Sequence, residues 1–336
     1  MNICMLPCHS ILEYNEYRLF SELGHDGFSL GSLINPLYPH DPKRPAVEGK
    51  VHEQLISVSQ VHTKDNLHEE QVMWADIIIV HHIPDWIIKN WTLFEQAIKK
   101  GKRIVWRTIG QSLPNIESVL QPYRERGLEI VRYSPKERLI PGYIGEDACI
   151  RFHQYDDELK NWNGHDERIV TVAQAMKKRK EFCHFDVFEK ATRGMKRVLY
   201  GPSNDDAGEL QGGVLTYDDL KQVMRDSRVF FYTGTQPASY TLGGSESMVT
   251  GTPIVSIGAK LGNSIFKLGL FEMPDIIVNG ENGFISDDIG ELHDYCQALL
   301  NDYDLAKRIS KAGRETAIEY FGVSKIRDQW KEFLER

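Results

Sequence analysis

Short apolar runs recur through this chain at intervals that leave room for one helix between each pair. Residues 2–6, 76–81, 103–109, 128–132, 168–172, 195–200, 228–232 and 253–257 are the clearest. Several, such as Ile77-Ile78-Ile79-Val80, are apolar continuously rather than alternately. A strand of that kind is buried on both faces, which is the condition of a parallel strand covered by crossover helices. Helical patterns at 91–100, 217–227 and 301–321 fill the gaps. Asp218 and Asp219 open the second of these, and Gly101 closes the first. The rhythm predicts an α/β fold with parallel sheets.

At 336 residues the chain suits two such units better than one. A polar, acidic stretch without periodicity, RFHQYDDELKNWNGHDE from Arg151, breaks the pattern before a new strand begins. The expected domains are residues 1–155 and 166–322, with 323–336 as a closing helix. The proline-rich segment 35–50 reads as a long surface loop, the kind that often carries function.

The net charge of −8 removes any general attraction to nucleic acid or anionic lipid. Five cysteines, none in a CxxC pair, point to free thiols in a reducing compartment. No run nears the length of a membrane span, and the N-terminal residues read as a strand rather than a leader. A cytoplasmic protein is expected.

The most informative stretch is FFYTGTQPASYTLGGSESMVTGTPIVSIG, residues 230–258. A strand runs into a loop with Gly234, Gly243 and Gly244. Ser245 is read as the N-cap of a short helix ended by Gly251, and Thr252-Pro253 leads into the next strand. The exposed N–H groups of such a first turn make an anion site. A second constellation, Lys177-Lys178-Arg179-Lys180, follows the strand at 168–172. Cations fixed at a strand end can neutralise a phosphate-bearing leaving group.

These two segments resemble the donor site of retaining glycosyltransferases of the GT-B fold, above all family 4. The resemblance implies two Rossmann-like domains with parallel sheets facing across a cleft, and a nucleotide-diphosphate sugar as donor on the second domain. Glu246 matches the second glutamate of the family pattern, which bonds the nucleotide ribose. Ala238 stands where the first glutamate is expected, so Ser239, Tyr240 and Thr241 are candidates to take over part of its hydrogen bonding. Arg179, Lys180 and then Lys178 correspond to the diphosphate clamp, with Gln174 where an arginine is usual. The donor-binding set implied is Lys178, Arg179, Lys180, Ser239, Tyr240, Thr241, Gly243, Gly244, Ser245 and Glu246. ENGFISDDIGELHDYCQALL, from Glu281, resembles the end of the family's second domain, and the closing helix is expected to cross back to the first.

The N-terminal half resembles the family more loosely. Ile109 lies near the place of the family's usual histidine, with Gln111 beside it. His81, His82, Arg107 and His9, each near a strand end, are the residues left, and Arg107, His82 and His9 are taken as the catalytic candidates. No ligand-spaced Cys/His cluster or acidic pair at a donor position suggests a metal, so no cofactor is expected. Alternatives are a phage-type transferase acting on modified DNA bases, disfavoured by the acidic charge, a nucleotide-sugar epimerase of the same fold, and a non-catalytic nucleotide-sugar binder. The acceptor is not identified by the sequence.

Overall fold

The computed structural model describes residues 1–31, 67–110 and 112–336. The segment 35–50 and Gln111 lie outside the described residues. The chain divides into two compact units, Met1–Arg151 with Arg327–Arg336, and Phe152–Ile326.

Among the described residues each unit holds a six-stranded sheet, and every ladder is parallel. The first unit contains β1 (Asn2–Leu6), β2 (Asp26–Ser29), β3 (Ile77–His81), β4 (Arg103–Arg107), β5 (Leu128–Arg132) and β6 (Ala148–Cys149), in the order β2-β1-β3-β4-β5-β6. The second contains β7 (Asp166–Val172), β8 (Arg197–Tyr200), β9 (Gln211–Gly213), β10 (Ser227–Tyr232), β11 (Ile254–Ile257) and β12 (Phe284–Ser286), in the order β12-β11-β10-β7-β8-β9. Both are Rossmann-like, and the expected α/β class with parallel sheets is what the chain has. In each sheet the strand order reverses once, between β1 and β3 and between β7 and β10. Ligands of open parallel sheets bind beyond the C-terminal strand ends at such a reversal.

Several boundaries differ from those read in the sequence. The unit break falls after Arg151 rather than at residue 155, because 152–155 are held by the second unit. There Phe152 N–H donates to Tyr240 Oη at 3.0 Å, and Gln154 Nε2 donates to Ser245 Oγ at 3.0 Å. The helix read from Trp91 starts a full turn and more earlier, as Pro84–Lys99, with proline in its first turn where the missing N–H costs nothing. The helix read at 301–321 is Tyr303–Phe321, started two residues later because the Asp302 side chain caps it by accepting from Leu305 N–H, and a separate helix, Ile289–Asn301, precedes it. The helix Tyr217–Asp226 is capped by Thr216 rather than opened by its aspartates.

The first unit's core is built from Ile78, Val80, Ile104, Trp106 and Ile130 of the strands against Trp86, Ile87, Trp91 and Phe94 of Pro84–Lys99. The end of the last helix, Val323–Leu334, packs into this unit: Trp330 meets Phe20 edge-on at 5.0 Å. Arg103 Nη1 donates to the Phe333 and Leu334 carbonyls at 3.0 and 3.1 Å, serving the helix's unbonded final carbonyls.

Charged groups are buried beneath the C-terminal edge of this sheet. Glu16 of the helix Ser10–Glu22 takes Arg107 Nε–H at 2.9 Å and His81 Nε2–H at 2.8 Å. Arg107 also donates to the Ile150 carbonyl at 2.6 Å and lies over the Trp330 ring at 5.3 Å. Arg132 and Glu117 form a fully buried two-pronged pair at 2.6 and 2.8 Å. Glu137 accepts from Thr108 Oγ1, Ser112 Oγ and Tyr133 N–H at 2.7, 2.6 and 3.0 Å, which fixes the loop after β4.

Burial alone would raise the Glu16 pKa, but the charges of Arg107 and His81 and their hydrogen bonds outweigh it and bring it down to about 2. A carboxylate held below its unfolded value contributes stability that is complete above that value and is lost as pH falls toward 2. Arg107→Met leaves Glu16 buried with one partner and should cost about 3–5 kcal/mol in urea unfolding at neutral pH. The loss should shrink as pH is lowered from about 4.5, since the wild type is then losing the same pair. A variant as stable as wild type at pH 7 would show that the pair contributes nothing.

Candidate functional site

The loops that follow β7 and β10 meet at the strand-order reversal of the second sheet. They carry the basic turn and the glycine helix, the two segments singled out in the sequence.

The helix is Leu242–Thr250. It begins three residues before Ser245, and its N-cap is Thr241, in extended conformation at φ −125°, ψ 162°. Ser245 is therefore inside the helix, where its Oγ donates to the Leu242 carbonyl at 2.9 Å and accepts from Gln154. Thr241 does not cap with its side chain. Both its N–H and its Oγ1 face Tyr232 Oη, at 2.8 and 3.2 Å. The first-turn N–H groups of Leu242, Gly243 and Gly244 thus have no capping partner among the described residues. Such groups, reinforced by the helix dipole, attract an anion.

The two glycines serve different ends. A Cβ on Gly244 would come within 2.7 Å of the Tyr232 ring, so helix and strand can be this close only with glycine there. A Cβ on Gly243 would lie 3.5 Å from the Val172 carbonyl at the end of β7 and 3.5 Å from the Phe230 ring, which is ordinary contact. Gly243 marks the point where the helix start reaches the end of the neighbouring strand. Gly251 closes the helix in the left-handed conformation at φ 93°. Arg314 covers the helix's other end by donating to the Val249 carbonyl.

The basic turn is divided. Lys177 Nζ donates to the Asp206 carbonyl at 2.9 Å, and Lys178 pairs with Asp205 at 3.0 Å in an exposed position. Arg179 reaches the Gln174 carbonyl at 3.4 Å, and Lys180 is exposed at the start of the helix Lys180–Cys183. Among the described residues neither Arg179 nor Lys180 pairs with a carboxylate. Two cations with no carboxylate partner among the described residues therefore stand in the segment that follows β7, the strand next to β10.

The remaining donor candidates fall differently. Glu246 is buried, at 3% exposure, and as residue i+3 it shares a helix face with Gly243. Tyr240 is a core residue: its hydroxyl accepts from Phe152 N–H, and its ring packs on Phe152 and Phe321 at 5.6 and 5.0 Å. The hydroxyl expected to take over part of the missing hydrogen bonding is already engaged by the Phe152 backbone. Ser239 is buried and its carbonyl accepts from Glu272 N–H at 2.9 Å. Ala238 is half-buried, its N–H donating to the Thr235 carbonyl at 2.8 Å in a tight turn.

Of the three catalytic candidates, Arg107 is fully buried and bonded to Glu16, so a structural role accounts for it. His9 is exposed at the N-cap of Ser10–Glu22 after β1. His82 follows β3 in the left-handed conformation at φ 56°. Burial, then the neighbouring His81, lowers its pKa to about 4, so its imidazole is neutral at pH 7. His9 and His82 thus lie just after the two strands that flank the reversal of the first sheet. Sequence reasoning missed Gln236 and His184, buried residues of the second unit. Only contacts between loops distant in sequence reveal them.

No protein-family profile and no curated protein sequence matches the chain. Solved structures do. HepE of Anabaena, in complex with UDP-glucose, superposes with a TM-score of 0.69 at 13% identity, covering 100% of this chain and 99% of that one. A glycosyltransferase from Rickettsia africae gives 0.64 at 14% identity, covering 99% and 97%. TarM of S. aureus gives 0.56 at 15%, covering 79% of this chain and 58% of its own. At these identities the likeness is one of fold. Among the described residues no cluster of His, Cys, Asp or Glu could hold a metal ion, and no helix is long and apolar enough to cross a membrane.

The different duties of the two glycines are open to test. Gly244→Ala should lower stability by about 1–3 kcal/mol through overpacking against Tyr232. Gly243→Ala should be neutral or stabilise by up to about 1 kcal/mol, as alanine does in helices. Thermal unfolding of both variants checks this, and the reverse order would show that Tyr232 does not set the glycine.

Proposed function

We propose that the chain is a glycosyltransferase of the GT-B fold, related to family 4. Its second unit binds a nucleotide-diphosphate sugar. The observation that carries this reading is the meeting, at one strand-order reversal, of an uncapped helix start with two glycines and the two unpaired cations Arg179 and Lys180. A diphosphate fits this set by charge. The N–H groups of Gly243 and Gly244 donate to one phosphate, and the cations face the other. Glu246, one turn on, is the group for two neighbouring ribose hydroxyls, since a carboxylate accepts from both. UDP-glucose, the ligand of the Anabaena structure, is the first donor to try.

The reaction is transfer with retention of configuration. The bond between the sugar's anomeric carbon and the diphosphate oxygen breaks, and an acceptor oxygen bonds to that carbon on the same face. The acceptor proton passes to the departing phosphate, whose growing charge is stabilised by Arg179, Lys180 and the helix start. This route asks for no metal and no glycosidase-like pair of carboxylates. The acceptor is bound at the C-terminal edge of the first sheet, where His9 and His82 stand. Neutral His82 is suited to take or give a hydrogen bond to a sugar hydroxyl.

Ala238 leaves the donor sugar without the family's first carboxylate, and that favours a sugar with a different hydroxyl pattern. It also supports a second reading, a binder that no longer transfers. Single-turnover assays over a panel of nucleotide sugars separate the two. Tight nucleotide binding with no transfer from any donor would favour the binder.

Two outcomes test the site itself. Glu246→Ala should keep the fold and weaken UDP binding in titration calorimetry by about 1–3 kcal/mol, the cost of a charge-assisted hydrogen bond. Unchanged affinity would remove Glu246 from the site. Transfer should survive EDTA and fall when Arg179 and Lys180 are replaced by alanine. Loss of transfer with EDTA, restored by magnesium, would contradict the metal-free route.

A further inference from the structure

Gln236, in the loop after β10, is 5% exposed and uses its whole amide. Its Oε1 accepts from Ile265 N–H at 2.9 Å. Its Nε2 faces three acceptors: His184 Nε2 at 2.8 Å, Ser264 Oγ at 2.9 Å and the Leu261 carbonyl at 3.1 Å. Its backbone N–H donates to the Phe182 carbonyl at 2.9 Å. Phe182 and His184 belong to the segment after β7 that carries Arg179 and Lys180. Leu261, Ser264 and Ile265 follow β11. One side chain thus joins the loops after β7, β10 and β11, three strands that are neighbours in the sheet.

The arrangement fixes the state of His184. Ile265 N–H can face only the amide oxygen, so the amide nitrogen must point at His184. That nitrogen is a donor with two hydrogens for three neighbours, and His184 Nε2 can accept one of them only while it presents a lone pair. A proton on Nε2 would set two donors against each other at 2.8 Å. His184 is itself held tightly, buried at 8% exposure in the left-handed conformation at φ 51°. Burial pushes its pKa down, against the pull of the Leu261 carbonyl. The charged groups on the surrounding elements are Arg179, Lys180 and Glu181 before it, Asp186, Glu189 and Lys190 after it, and Lys260, Lys267 and Asp287 at the third loop. Glu189 and Arg179 are half-buried and the others exposed, and among the described residues none bonds to His184. Among the described residues no carboxylate compensates a buried imidazolium, and the Leu261 carbonyl offsets its burial only in part.

We propose that Gln236 is a positioning residue of the nucleotide site, holding its three loops together only while His184 is neutral, so that protonation of His184 loosens the site and releases nucleotide. This rests on the reading of the second unit as a nucleotide site. With a folded pKa below the ordinary value near 6.5, the latch is intact at neutral pH and opens as pH falls below that value.

The test is UDP binding by calorimetry at about pH 7.5 and about pH 5.5. Wild type should lose about fivefold to tenfold in affinity on acidification, the scale of one hydrogen bond turned unfavourable. His184→Asn, which keeps a residue tolerant of positive φ but does not titrate, should show a clearly flatter profile. Gln236→Glu replaces the donor by a carboxylate that welcomes imidazolium, and should bind better at the lower pH than wild type does. Equal pH dependence in wild type and His184→Asn overturns the proposal. A second readout is independent of nucleotide: hydrogen exchange in 233–241 and 259–267, corrected for intrinsic rates. Protection lost on acidification in wild type and kept in His184→Asn supports the latch, and equal protection in both overturns it. If UDP binds no variant at either pH, the nucleotide reading falls while the exchange experiment still decides the latch.

Discussion

Tyr232 is the side chain on which the second unit's site depends. It ends β10, buried, with its ring stacked near Phe271 at 6.2 Å and its hydroxyl turned to Thr241. Burial pushes its pKa up to about 12, so the phenol remains protonated, a neutral partner that a helix start tolerates. Two consequences follow from that one placement. The ring lies where a Cβ of residue 244 would be, so position 244 must be glycine. The hydroxyl engages Thr241, so the N-cap side chain is drawn away from the helix it would otherwise cap. A surface helix normally gains about 1 kcal/mol from such a cap. Forgoing it leaves donors available to a ligand, which is a reason for the arrangement beyond stability.

Much of this was legible in the sequence because parallel strands announce themselves. Residues 77–80 are apolar throughout, and so is most of Ser227–Tyr232, since both faces are covered. The edge strands were not legible. Asp26–Ser29, Ala148–Cys149 and Gln211–Gly213 are two to four residues long, and their sequences carry Asp, Gly, Gln and Ser. They are strands because a neighbour supplies hydrogen bonds, and a single sequence does not show the neighbour. The glycine helix was legible in kind and misplaced in phase. Ser245 looks like a cap because serine favours that position. In the fold the extended backbone reaches Thr241, and Ser245 finds its partner in Gln154, some ninety residues away, a contact with no local signature.

The same limit explains Tyr240 and Arg107. Tyr240 reads as a ligand because it stands beside the place of the family's first glutamate, and Arg107 because it ends a strand. Tyr240 fills a space between Phe152 and Phe321, both distant in sequence. Arg107 is matched by Glu16, which lies on the first helix and is separated from it by two strands. Buried charge pairs are weak sources of net stability but strong constraints on geometry, because a lone partner left behind is costly. In the first unit they hold the C-terminal edge: Glu16 with His81 and Arg107, Glu137 with the loop at Thr108 and Ser112, and Glu117 with Arg132.

That contrast bears on which unit receives an anion. Arg107 and Arg132 are buried, and each is balanced by a carboxylate with a bond of 2.9 Å or less. A balanced, buried guanidinium has little field left to offer a phosphate. The second unit has the opposite economy of charge. Its cations at the strand ends are half-buried or exposed, Arg179 and Lys180 have no carboxylate partner among the described residues, and the helix start beside them is uncapped. Since the net charge of the chain is −8, a phosphate approaching from solvent meets general repulsion, and local field decides where it can stay. Among the described residues, the loops after β7 and β10, where Gly243 meets Val172, carry the cations and free N–H groups from which such a field arises.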